Sequence, residues 1–227
     1  MKKKMFIIIG IILILIIGIL GIYFLFKDNN SSPSFEMFKK EYESVNGMKW
    51  ESNGYSGEYL EVSIPTNNLM KYANDDNILE LVSSGTHVIY FGNAKCNWCR
   101  AMIPILIDAS LEYGLDEIYY YDFFSLRDAY QEGLDKEKVL LYEELMNKIG
   151  DFIENTFDSD TKVSGKKRLS APSVLIVSSG KPVDFHYKTV DSHIDYNKDL
   201  KKDEKEELKD IYLKMFKNLV YACDGEC

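Results

Sequence analysis

The chain has 227 residues with 36 acidic side chains against 27 basic ones. All of the acids and all but four of the bases lie beyond residue 27, leaving that region with a net charge of −13. Such a surface argues against binding nucleic acid or lying on an anionic membrane face, both of which need basic patches. About 190 residues can bury a core for one domain without covalent staples, so the four cysteines are more interesting as chemistry than as structure.

The first element is a membrane span. Three lysines at Lys2–Lys4 precede Met5–Phe26, 22 residues without a charge. At about 1.5 Å per residue the run reaches about 33 Å, the thickness of the hydrocarbon core and longer than a usual signal-peptide core. Three lysines before it against one after it place the N-terminus in the cytoplasm and everything from Asp28 outside. The expectation is an uncleaved single-pass anchor in the cell membrane over residues 1–27, with cleavage after Phe26 as the alternative. A polar tether follows over 28–34, and an extracytoplasmic domain over 35–227.

Within the domain, Phe35, Phe38, Tyr42 and Val45 recur at helical spacing and stop at Asn46-Gly47, a normal helix exit. Tyr59–Ile64, bounded by Gly57 and Pro65, reads as a strand. Ile78–Val82 reads as a short helix ended by Ser83-Ser84-Gly85. Residues 86–92 are β-branched and aromatic and lead into Cys96-Asn97-Trp98-Cys99, after which Met102, Leu106, Ile107 and Leu111 return to helical spacing. Cys96 is thereby placed at a helix N-terminus, where unpaired N–H groups and the macrodipole favour the thiolate, the attacking form in disulfide exchange. Two cysteines at this spacing also make half a zinc site or a packed core pair.

Ile118–Phe124 is a dense β-type run expected at the sheet centre. Val139, Tyr142, Leu145, Ile149 and Phe152 form an amphipathic helix that caps the fold or shapes a substrate groove. Lys162–Arg168 is a basic stretch, either a solvated face or a guide for an acidic substrate. Then Ala171-Pro172 opens the apolar strand Ser173–Val177, and Ser179-Gly180 turns the chain into a second strand. Leu208, Ile211, Met215, Leu219 and Ala222 line one face of a terminal helix predicted to pack on the sheet. His87, His186 and His193 are expected as ordinary strand or loop residues.

A dithiol strand, helix, strand, helix, proline strand, glycine turn and strand, in that order, are the order of a thioredoxin fold, whose cis-proline loop faces the dithiol. The expected class is therefore α/β: a thioredoxin fold with an N-terminal transmembrane helix and a helical segment inserted before the cis-proline strand. On this reading Cys96 is the nucleophile and Cys99 the resolving thiol. Lys95 lowers the Cys96 pKa, and Arg100 modestly favours the Cys99 thiolate. Trp98 contacts substrate or simply packs beside the dithiol, and Ala171 and Pro172 present backbone to an extended substrate. Cys223 and Cys227 allow three readings: a structural disulfide, a second redox pair, or half of a Cys₄ zinc set completed by Cys96 and Cys99.

Gly85-Thr-His-Val-Ile-Tyr-Phe-Gly92, Cys96-Asn-Trp-Cys99-Arg100, Ala171-Pro172-Ser173 and the ending Cys223-Asp-Gly-Glu-Cys227 together resemble the membrane-anchored thioredoxin-like proteins of bacteria, some of them known as bacteriocin transport accessory proteins. The resemblance covers residues 35–227. It implies thiol–disulfide exchange outside the cytoplasm, with exported protein thiols and disulfides as substrates, a membrane redox partner, and no cofactor or resident metal. Two departures stand out. Thioredoxins carry a buried Asp six residues before the first cysteine, where this chain has Tyr90, and Asn97-Trp98 stands in place of their Gly-Pro. A non-catalytic accessory module for a transporter is the alternative function.

Overall fold

The computed structural model describes residues 34–52, 54–153 and 168–219. The apolar run Met5–Phe26, most of the basic stretch before Arg168, Ala222, and the Cys223/Cys227 pair lie outside the described residues. Among the described residues no helix is long and apolar enough to cross a membrane.

Strand β4 (His87–Phe91) is the axis of the molecule, and its alternation explains the layers around it. Successive strand side chains point to opposite faces. Val88 and Tyr90 enter one core while Ile89 and Phe91 enter the other, all four fully or almost fully buried. The first core is covered by α1 (Ser34–Glu43), α3 (Asn97–Tyr113) and α6 (Lys202–Phe216). The second is covered by α2 (Ile78–Leu81), α4 (Phe124–Glu132) and α5 (Lys136–Ile149). A strand buried on both faces lacks polar alternation, as Val88–Phe91 does.

The sheet has five strands in the order β3 (Met70–Tyr72), β5 (Ile118–Tyr121), β4, β6 (Ser173–Ser178), β7 (Lys181–Tyr187). β3, β5 and β4 are parallel; β6 runs antiparallel to β4, and β7 antiparallel to β6. This mixed α/β layout is compatible with the expected class. The pairing of Phe91 with Ser173 brings the end of β4 to the start of β6, placing the segment after β4 beside the proline loop.

Two expectations need correction. Tyr59–Ile64 is not a strand. Its alternate backbone groups are taken by side chains instead: Leu60 N–H donates to Asn97 Oδ1 (2.9 Å), Val62 N–H to Asn46 Oδ1 (3.0 Å) and Ile64 N–H to Glu43 Oε1 (2.8 Å). The segment has the in/out alternation of a strand, with Val62 and Ile64 buried, but the end of α1, the turn after it and the start of α3 supply its partners. A separate hairpin, β1 (Lys49–Ser52) with β2 (Tyr55–Glu58), precedes it, and the edge strand of the main sheet is the three-residue β3. The second correction is at Ile118–Phe124, which is interior but not central and stops at Tyr121. There Asp122 Oδ1 accepts the Phe124 N–H (3.1 Å) and α4 begins. The terminal helix α6 packs on the sheet as expected, beside α3 over the first core, with Tyr212 edge-on to His186 of β7 at 5.9 Å and Lys209 paired to Asp108 and Glu112.

Between β5 and β6 the predicted amphipathic helix is present as α5, and α4 joins it as a second helix not foreseen. Tyr142, Leu145 and Ile149 turn into the second core, so this insertion caps the sheet face opposite α3.

Candidate active site

β4 ends at Phe91, Gly92 follows, and the chain turns through Asn93–Lys95 into α3. Cys96 is the N-cap of that helix, with extended φ/ψ of −116° and 112°, and its sulfur accepts the Cys99 N–H at 3.2 Å. Cysteine thus performs the capping that Ser or Asp more often does, satisfying one of the orphan donors of the first turn. Cys96 is partly exposed and Cys99 fully buried.

The two thiols are pulled in opposite directions. A hydrogen bond from the Cys99 side chain lowers the Cys96 pKa, helped by the Cys99 and Trp98 backbone N–H groups and the charge of Arg127, against the opposing effect of burial. Burial pushes the Cys99 thiol well up, and its hydrogen bond and charge interaction with Cys96 push the same way. The arrangement makes Cys96 the more readily ionised thiol of the two and Cys99 the one that holds its proton.

The charge assignment differs from expectation. Lys95 is exposed, with its backbone N–H turned to Asn93 Oδ1 (2.7 Å), whereas Arg127 in the inserted α4 acts on Cys96. Arg127 is held over the Phe124 ring at 4.1 Å and beside Asp128. Arg100 is fully committed elsewhere. Its buried guanidinium donates to the carbonyls of Tyr42 (2.9 Å), Ala94 (3.0 Å) and Leu60 and to Asn46 Oδ1, tying the end of α1, the 59–64 segment and the dithiol turn into one unit. The Cys99 pKa stays high beside it.

The Ala171–Pro172 bond is cis, and the Ala171 carbonyl lies 3.9 Å from the Cys96 sulfur. Ala171 sits immediately ahead of β6, where ladder pairing has not begun, while Pro172 O already accepts the Lys188 N–H (2.9 Å). The three residues the sequence joined by order alone, Cys96, Cys99 and Pro172, are therefore neighbours.

Trp98 is partly exposed and forms an edge-on contact with the His193 ring at 4.9 Å and a tilted one with Tyr196 at 6.3 Å. Tyr196 in turn packs on Trp50 at 5.6 Å. Trp50, Tyr196, Tyr59, Lys95 and Asn97 surround a cavity of about 220 Å³ beside the dithiol turn. Asn97 braces it, accepting from Leu60 N–H and donating to Glu58 O (3.2 Å). His193 is more than a loop residue: buried, bonded to Thr189 Oγ1 (2.9 Å) and Lys198 O (2.8 Å), it fixes the back of the Trp98 ring. A larger depression of about 600 Å³ along α1 contains no thiol.

Arg127, Tyr42, His193 and Tyr196 escaped the sequence reading because each acts from a segment remote from the CxxC motif. Only Tyr90 had carried a signal, as the substitute for a carboxylate. Among the described residues no three His, Cys, Asp or Glu side chains gather as a metal site.

Fold and site together define a mixed α/β protein with a helix-capped dithiol facing a cis-prolyl loop. No protein-family model matches the sequence, and no curated protein matches it.

Proposed function

We propose that this chain is a membrane-tethered thiol–disulfide oxidoreductase of thioredoxin fold that acts on exported proteins. The observation that carries the reading is the asymmetry of the dithiol: a partly exposed Cys96 with a lowered pKa next to a buried Cys99 with a raised one, both beside the Ala171–Pro172 loop. The strand order and the antiparallel β6–β7 hairpin favour the thioredoxin class over other α/β layouts. The uncharged run Met5–Phe26 supports the tether.

In the reducing direction the Cys96 thiolate attacks a substrate disulfide, forming a mixed disulfide and releasing one substrate thiolate. Cys99 then attacks the Cys96 sulfur, forms the Cys96–Cys99 bond and expels the second substrate thiolate, which takes up the proton Cys99 has lost. The oxidising direction is the reverse. Ala171, just ahead of the β6 ladder, offers its backbone to an extended peptide, and Trp98 with the adjoining aromatic wall receives a neighbouring side chain. A membrane redox partner resets the dithiol between cycles.

The deciding experiment is equilibration of the full-length protein in detergent across a series of redox buffers, with thiols trapped and assigned by mass spectrometry. A Cys96–Cys99 disulfide in equilibrium with the buffer is expected. A midpoint near about −270 mV assigns a reductase and one near about −120 mV a disulfide-forming oxidant. A chain in which Cys96 and Cys99 never pair, or whose Cys96→Ser variant keeps full biological activity, overturns the proposal in favour of an accessory module.

A further inference from the structure

We infer that Tyr90 and Tyr42 form a two-hydroxyl relay serving Cys99: Tyr90 donates to the Cys99 thiolate as it forms in the resolving step, and Tyr42 orients Tyr90. The inference rests on the exchange reading above and adds the group that handles charge at the buried thiol.

The geometry is specific. Tyr90 on β4 and Tyr42 on α1 are both fully buried, and their hydroxyls meet at 2.8 Å with either able to be the donor. Cys99 is fully buried in the same core as both rings, and the Tyr90 side chain acts on its thiol in the direction that favours the thiolate. The Tyr90 ring is locked by stacking on Tyr120 at 5.5 Å and 23°. Space for the hydroxyl comes from Gly92, where an added Cβ would lie 2.1 Å from the Tyr90 oxygen. A buried hydroxyl with one partner would satisfy packing alone. Two that meet each other in the core that holds the thiol make a chain whose direction can reverse without moving a heavy atom.

That reversal suits the chemistry. While Cys99 is a thiol, the Tyr90 oxygen can accept from S–H. As Cys99 gives up its proton to attack the Cys96–substrate disulfide its sulfur becomes anionic, Tyr90 turns its O–H to the sulfur, and Tyr42 turns its own to the Tyr90 oxygen. The Cys96–Cys99 bond forms, the bond from Cys96 to the substrate sulfur breaks, and the substrate thiolate leaves with that electron pair. The Cys99 proton passes to the leaving thiolate or to solvent. Neither tyrosine ionises, since burial holds both phenols well above their ordinary range. The other titratable groups around the pair are Cys96 and Arg100 on α3 and Tyr212 on α6, with Tyr120 on β5 behind Tyr90 and Glu41 on α1 beside Tyr42.

The test uses the full-length chain in detergent with Cys223→Ser and Cys227→Ser, charged at Cys96 with thionitrobenzoate, and follows release of the coloured thiolate over a pH series. For the parent chain the rate rises with pH as Cys99 ionises. Tyr90→Phe is expected to move that profile to higher pH and slow release at neutral pH by about tenfold or more, the size of one hydrogen bond to a charged group. Tyr42→Phe moves it the same way by less, and the double variant is no slower than Tyr90→Phe because Tyr42 acts through Tyr90. A purely structural role would lower the rate equally at every pH. Superimposable profiles for Tyr90→Phe and parent overturn the relay, as does an additive double variant. Tyr42→Phe carries the test if Tyr90→Phe does not fold, as judged by its thermal transition. A parent chain that releases nothing overturns the exchange reading itself and the relay with it.

Discussion

Replacing Arg100 by Met should cost more stability than any other single change near the dithiol. The guanidinium is buried and serves four acceptors from three segments: Tyr42 O, Ala94 O, Leu60 O and Asn46 Oδ1. Hydrogen bonds to a charged donor contribute about 1.5–3 kcal/mol each, but burying the ion opposes most of that sum. Methionine removes the ion and its desolvation cost while leaving three buried carbonyls without this donor. The expected net loss is about 3–5 kcal/mol, the range for removing one side of a buried charged network. For a domain of this size that lowers Tm by roughly 10 °C. Arg100→Lys keeps the charge but not the planar fork, and should recover less than half of the loss. The assay is urea unfolding followed by tryptophan fluorescence, with Trp50 and Trp98 as reporters. A Met variant within about 0.5 kcal/mol of the parent would show that the four contacts do not hold the turn.

Further outcomes follow from the same site. Alkylation of Cys96 against pH should show a midpoint below the about 8.5 of an ordinary thiol, and Cys99→Ala should raise it because the largest lowering influence is the Cys99 side chain; an unchanged midpoint refutes that assignment. Arg127→Gln should raise the Cys96 midpoint more than Lys95→Gln does, and the reverse order would return the charge effect to Lys95. Gly92→Ala forces its Cβ onto the Tyr90 hydroxyl and should destabilise by about 1–3 kcal/mol, the cost of overpacking, readable in the same urea assay; a neutral result means the ring has room to move. Because burial raises Tyr42, Tyr90, Tyr120 and Tyr212, the folded chain keeps protons that the unfolded chain loses above about pH 10. Stability then falls as pH rises, so the tyrosinate absorbance of these four phenols should appear together with unfolding, as a step after that of exposed phenols such as Tyr55. Gradual ionisation of these phenols in the folded state would refute the burial argument.

The parts of the molecule legible in the sequence are those with a local signal. Val88–Phe91 shows no polar alternation because β4 is covered on both faces, and the helical spacing after Cys99 matches α3. Pro172 before an apolar run and Ser179-Gly180 after it marked the hairpin. The failures were where pairing is non-local. Tyr59–Ile64 has a strand's alternation, yet its backbone partners are Asn46, Glu43 and Asn97, side chains whose proximity no spacing rule encodes. At the site, the CxxC motif placed Cys96 at a helix N-terminus, where the fold has it, but the nearest basic residue in sequence, Lys95, was preferred to Arg127, which reaches Cys96 from the inserted helices. Periodicity reports which face of an element is buried, not which element lies against it.

The same distinction explains how the thiol asymmetry is built. A helix N-terminus alone would lower both cysteines of a CxxC motif, since both lie within its first turn. The difference arises because Cys99 sits under α1 and α6, in the core shared with Tyr42, Tyr90 and Tyr212, while Cys96 caps the helix at the edge of that core. Arg100 holds α1 and the 59–64 segment over the turn, so the covering layer and the buried thiol depend on one side chain. Loosening it should admit water to Cys99 and let its pKa fall, while the Cys96 cap, tied through Ala94, loses definition and its pKa rises. The two thiols should then converge, a change readable as a narrower separation of their alkylation midpoints in Arg100→Lys than in the parent. Unchanged separation would place the origin of the asymmetry in the helix turn itself and not in the layer above it.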